Sequence, residues 1–99
     1  MKRIEKDVFI QKLRQVKSAK SVSRGIVYSS IRLEGNTCKG IRESTKKPFK
    51  IYVDELYQAY CELDAINTKK MKPYISTRAQ SPAWAILVEM GLADDKRIL

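Results

Sequence analysis

The sequence predicts a small α+β domain, with a three-stranded antiparallel sheet packed on helices in the order α-β-β-β-α-(short turn)-α. Three observations predict it. A stripe of apolar residues at helical period opens the chain. Residues 26–53 then carry three runs of β-branched and aromatic residues separated by turn chemistry. Helical patterning returns after residue 54 and again from residue 81. Strands and helices are segregated along the chain rather than alternating, which is the α+β pattern.

The first helix is expected over residues 4–17. Ile4, Val8, Leu13 and Val16, with Phe9 alongside, fall on one stripe, and Lys6, Lys12, Arg14 and Lys17 fill the remaining surface. Asp7 sits early, where a negative charge suits the helix dipole. The Ser-rich run KSAKSVSRG ends the helix and closes at Gly25. IVYSSIRL, 26–33, reads as the first strand. EGNT follows as a turn, with Gly35 and Asn36 both able to take positive φ. Residues 37–43 return as the second strand, and STKKP is a second turn with Pro48 at its exit. FKIYV, 49–53, alternates cleanly and is the third strand.

Asp54 is placed to N-cap a helix over 55–63, whose apolar face is Leu56, Ala59, Tyr60 and Leu63. Asn67 or Thr68 caps a short turn, TKKMK, which Pro73 stops. SPAWAILVEMGLA carries three helix signals: Ser81 as N-cap, Pro82 at the first helical position and Gly91 at the end.

Ninety-nine residues, 43% of them apolar, suit one domain with one hydrophobic core, spanning 1–99. No run approaches the roughly 20 apolar residues that span a bilayer, and MKRIEKDVFIQ lacks the pattern of a secretory signal. The expectation is a cytoplasmic protein without a membrane partner. Two cysteines, Cys38 and Cys61, and no histidine give no metal-site spacing, and in a reducing compartment both read as buried thiols. No phosphate-binding or dinucleotide fingerprint is present, so neither cofactor nor metal is expected.

Charge is the informative quantity. Twenty Lys and Arg stand against eleven Asp and Glu, a net charge of +9. It is unevenly spread: residues 51–66 hold four acids and no base, whereas 67–80 hold four bases and no acid. A small basic domain of this kind points to a polyanionic partner.

Alternation locates the cations. If Val27, Ile31, Leu33, Ile41, Phe49, Ile51 and Val53 face the core, the opposite face displays Tyr28, Arg32, Arg42, Lys50 and Tyr52. Such a face pairs with phosphates through its cations and stacks on bases through its rings. Lys46 and Lys47 border it in the second turn. A three-residue loop, Glu34-Gly35-Asn36, spares Arg42 from burial, whereas a two-residue hairpin would pair Glu34 with Thr37 and put Arg42 on the face of Ile31 unless a bulge near Gly40 intervened. Lys39 then points inward.

A second basic cluster, Lys69, Lys70, Lys72 and Arg78 around Tyr74, is either a backbone grip or a solvated connector. The element order α-β-β-β-α matches that of double-stranded-RNA-binding domains by analogy only. Their second helix opens on a lysine pair, whereas this one opens on Asp54-Glu55, which repels phosphate. Domains that lay a three-stranded sheet in the major groove fit the 28–52 region better.

Residues 82–92 are apolar on most sides. That helix is either the central core helix or an interface for a homodimer or protein partner, with Trp84, Leu87, Val88 and Met90 carrying the contact. The absence of histidine excludes Ser-His and Cys-His nucleophile systems. One enzyme class survives, a small metal-independent ribonuclease of the toxin kind working with Arg32, Arg42, Lys50 and Tyr52. The carboxylate pairs Glu62/Asp64 and Asp94/Asp95 read as solvated surface. The sequence therefore favours a non-catalytic nucleic-acid-binding domain, DNA slightly before RNA. A protein-interaction module through 82–92 is the first alternative and the ribonuclease the second.

Overall fold

The structure, a computed structural model, describes residues 4–21, 25–63 and 68–92. Asp64, Asn67, Asp94 and Asp95 lie outside them. Among the described residues the order is α1 (Lys6–Arg14), β1 (Ala19–Lys20), β2 (Val27–Glu34), β3 (Thr37–Arg42), β4 (Lys47–Tyr52), α2 (Val53–Glu62), α3 (Thr68–Met71) and α4 (Gln80–Glu89). The strands form one antiparallel sheet in the order β1-β2-β3-β4, and the helices cover one of its faces. The α+β class holds, but the sheet has four strands rather than three.

The added strand, β1, is two residues long and pairs Ala19 with Tyr28 and Lys20 with Val27. Two residues are too few to show a period, so the Ser-rich run conceals it. α1 is shorter than the 4–17 stripe. It buries Phe9 and Leu13, and Val16 follows just beyond it, but Val8 is 40% exposed. Ile4 is nonetheless anchored. Its N–H donates to the Tyr60 hydroxyl at 3.0 Å, and its carbonyl accepts from the Tyr57 hydroxyl at 2.9 Å. Phe9 packs on both tyrosine rings, which ties the start of the chain to α2.

The β2–β3 hairpin decides the sheet. Glu34 pairs with Thr37 across a two-residue turn, in which Gly35 alone takes positive φ (+62°). Asn36 does not. A positive first position is the mark of a type II′ turn, whose twist suits a hairpin. The three-residue loop is therefore corrected, and the bulge that accompanies the two-residue turn does not turn Arg42 outward: Arg42 pairs with inward-facing Tyr28, and Ile41 takes the outer face. Ser29 pairs with Ile41 but Arg32 pairs with Lys39, so Ser30 and Ile31 together oppose Gly40. Ser30 sits at φ +54°, the left-handed region that makes the bulge. Tyr28 and Ile31 thereby share the inner face, and both are buried.

The inner face is completed by Ala19, Cys38, Phe49 and Ile51. Against it pack Val53, Leu56, Ala59 and Tyr60 from α2, Met71 and Ile75, and Ala83 to Leu87 from α4. The caps differ from expectation. Tyr52, not Asp54, occupies the N-cap of α2, and Asp54 instead binds Lys6 and accepts from the Asn36 amide at 3.1 Å. Ala79, not Ser81, occupies the N-cap of α4, and the Ser81 hydroxyl accepts a hydrogen bond from Tyr28 at 3.0 Å. Gly91 does end α4. At φ +79° its N–H reaches the Val88 carbonyl and that of Leu92 the Leu87 carbonyl, the paired bonds of a Schellman motif. Among the described residues no helix is long and apolar enough to cross a membrane.

Candidate nucleic-acid interface

Helices cover the inner face of the sheet and leave the outer face open. Register determines what stands there. Arg32 pairs with Lys39, and Lys39 with Lys50, so three cations lie side by side on three neighbouring strands. On one side of this row are Glu34, Thr37 and Tyr52; on the other are Ser29, Ile41 and Pro48.

One carboxylate serves the row. Glu34 accepts from Arg32 Nε at 2.8 Å and from Lys39 Nζ at 3.0 Å. Those bonds, Lys39 first and Arg32 second, hold the Glu34 carboxyl below the usual carboxylate range. Arg32 also donates from Nη1 to the carbonyl of Ser30 at 3.0 Å, so the bulge that set the register positions its guanidinium as well. Lys50 has no acidic partner among the described residues. Its ammonium lies 5.7 Å from the centre of the Tyr52 ring, within cation–π range. Tyr52 is 37% exposed.

The β4 edge is occupied. The Thr77 hydroxyl donates to the Lys50 carbonyl at 2.5 Å, and Ser76 binds Glu55 Oε1 through its N–H (3.1 Å) and its hydroxyl (3.0 Å). The carbonyl of Lys50 therefore faces the free edge. By the same parity Pro48 presents its missing N–H there, the one place a strand tolerates proline. This docking sets Arg78, exposed and at φ +61°, next to the strand that carries Lys50.

The sequence-predicted residues thus divide. Arg32, Lys50 and Tyr52 stand together on the outer face. Tyr28 does not: it is 2% exposed, its ring meets Phe49 edge-on at 5.6 Å, and it belongs to the core because the bulge reverses its direction. Val27 takes the outward place and is 42% exposed. Arg42 is also displaced. It pairs with inward-facing Tyr28 at the end of the sheet, and its guanidinium carbon lies 5.9 Å from the centre of the Phe49 ring. It therefore does not join Arg32, Lys50 and Tyr52, the set the ribonuclease reading requires. Lys47 pairs with Arg42 at that same end.

Lys46, at φ +59° in the turn before β4, binds Glu43 Oε1 at 2.8 Å. Glu43 also accepts from the Ser29 hydroxyl, and the two bonds, Lys46 first, lower its pKa. Lys69, Lys70 and Lys72 lie on and just after α3, which packs on α4 in the helical layer rather than on the open face. Tyr74 there donates to Glu62 Oε1 at 3.0 Å.

Lys39 was missed. Assigning Ile41 inward forced Lys39 inward too. The signal that would have corrected this is Gly40, a strand glycine beside an aromatic neighbour, which marks a close approach on the packed face. Of the two readings of the α4 helix, burial favours the core helix. Trp84, Leu87 and Met90 are buried in the chain's own core, and of the four residues only Val88 is half-exposed. The thiol of Cys38 is buried, which pushes its pKa up to about 11 and keeps it protonated and unreactive. No protein-family model, curated protein or solved structure matches the chain.

Proposed function

We propose that this chain is a non-catalytic nucleic-acid-binding domain, with DNA ahead of RNA as its partner, that meets phosphates with the outer face of its sheet. The row Arg32–Lys39–Lys50 carries the reading. Like charges directly across neighbouring strands repel and destabilise a sheet. One carboxylate, Glu34, relieves two of the three, and Lys50 is left uncompensated. A chain that needed only solubility would gain by alternating signs along this row. An anionic backbone laid across the strands removes the repulsion and releases its own counterions. Tyr52 beside Lys50 offers a ring to a base, and Arg78 extends the cations past the β4 edge. DNA stands ahead because Asp54 and Glu55 make the start of α2 repel phosphate, where double-stranded-RNA binders attract it.

Fluorescence anisotropy against labelled oligonucleotides at about 50 and about 200 mM salt tests the reading. Binding should fall steeply with salt. Lys50→Ala and Arg32→Ala should each reduce the log–log slope by about 1. Arg42→Ala, at the sheet end, should change it less. No binding at the lower salt, or a larger effect from Arg42→Ala than from Lys50→Ala, would remove the outer face as the site.

A further inference from the structure

The outer face carries more than charge. Ile41 is half-buried on that face and lies outside the hydrophobic core. Pro48, its partner on β4, is exposed, and so is Val27. On the opposite flank of the cation row stands Tyr52. Residues two apart along a strand are separated by about 7 Å, so the cations run as a single line with Tyr52, beside Thr37 and Glu34, at that distance on one side and Ile41 and Pro48, beside Ser29, on the other. We infer that the ligand of this face is a single strand of nucleic acid rather than a duplex, an inference that rests on the nucleic-acid reading above.

The pattern of the face is the pattern of a single strand. An unpaired strand exposes both its phosphates and the flat faces of its bases. Phosphates on the Arg32–Lys39–Lys50 line leave bases to splay onto Tyr52 at one side and onto Ile41 and Pro48 at the other, since stacking and apolar contact do not depend on sequence. A duplex offers no base faces along its length. It would press phosphates against Ile41 and Pro48 and gain nothing. A groove could be read only by hydrogen-bonding side chains beside the row. There the Ser29 hydroxyl is already given to Glu43 and the Glu34 carboxylate to Arg32 and Lys39, Ile41 and Pro48 offer only carbon, and hydrogen-bonding capacity is confined to the Thr37 and Tyr52 hydroxyls on one flank. Arg32 is held by Glu34 and Ser30 through Nε and Nη1, so it is fixed as a contact on the line rather than free to reach into a groove.

Charge alone predicts the opposite preference, which makes the inference testable. Duplex DNA releases more counterions per phosphate than a single strand, so a purely electrostatic face binds duplex better. The test measures the full chain against labelled oligothymidylate and against the same strand annealed to oligoadenylate, across a salt series. The single strand should bind about tenfold tighter or more. Tyr52→Leu should weaken single-strand binding about tenfold with the salt slope unchanged, and Tyr52→Phe should retain it. Ile41→Ser should weaken it in the same slope-independent way. Duplex binding equal to or tighter than single-strand binding overturns the inference and leaves the nucleic-acid reading standing. So does full affinity in both Tyr52→Leu and Ile41→Ser. No binding to either form overturns both.

Discussion

The ring of Phe49 occupies the space that a side chain at position 40 would need. A Cβ built on Gly40 falls 2.6 Å from Phe49 Cζ and 3.1 Å from Ile31 Cγ1. The backbone of Gly40 is not in the left-handed region, so the requirement for glycine is one of space. Gly40→Ala should therefore destabilise the domain by about 1–3 kcal/mol, the cost of overpacking. In urea it should lower the unfolding midpoint at unchanged m. An unchanged midpoint would mean that Phe49 moves aside without cost.

Tyr28 belongs to the core and not to the outer face of the sheet. Its hydroxyl donates to Ser81 and links β2 to α4. Tyr28→Phe should cost about 1 kcal/mol of stability, the net worth of one such bond. Its affinity for oligonucleotides should equal that of the unsubstituted chain. Weakened binding at unchanged stability would return Tyr28 to the interface.

Glu34 restrains the cation row. With its folded-state pKa depressed by Lys39 and Arg32, its ionised form stabilises the fold above the ordinary carboxylate range. That contribution is lost as pH falls through the lowered folded-state value. Glu34→Gln abolishes the same interaction at neutral pH and frees two cations. It should tighten oligonucleotide binding and steepen the salt dependence. Affinity that stays level or falls in Glu34→Gln would show that Glu34 contributes to binding by positioning Arg32.

Arg78 occupies a left-handed conformation that disfavours any side chain by about 1–2 kcal/mol. Glycine removes that penalty but adds entropy to the unfolded chain, roughly 0.5–1 kcal/mol. Arg78→Gly should thus leave stability level or raise it by up to ~1.5 kcal/mol, while weakening oligonucleotide binding. A loss of stability without a loss of affinity would make Arg78 a structural residue of the 76–78 loop.

Much of this architecture is legible in the sequence, and the failures share a cause. The turn at Gly35-Asn36, the alternation of Phe49 to Val53, the helix after it and the Gly91 terminus are local signals, set by neighbours in the chain. The outward positions of Lys50 and Tyr52 follow from that alternation, and that of Arg32 from its place between Ile31 and Leu33 in β2. Caps were less legible, because Asp54 and Ser81 were each drawn to a tertiary partner, Lys6 and Tyr28, in place of their own helix N-terminus.

Alternation also left one question open that no local signal answers. It sorts β3 into Cys38, Gly40 and Arg42 against Lys39 and Ile41, without saying which set is buried. The Phe49 ring decides, since its position over Gly40 turns Cys38 and Gly40 inward and sends Lys39 out. The bulge at Ser30 then lets Tyr28 and Ile31 point inward together. The sequence by itself determined the α+β class, the elements other than β1, the excess of positive charge and the two candidate faces. Tertiary packing alone decided which face is open and that Lys39 completes the row, because side-chain direction in a strand is fixed by register, and register is settled by what the other strands and helices can bury against it.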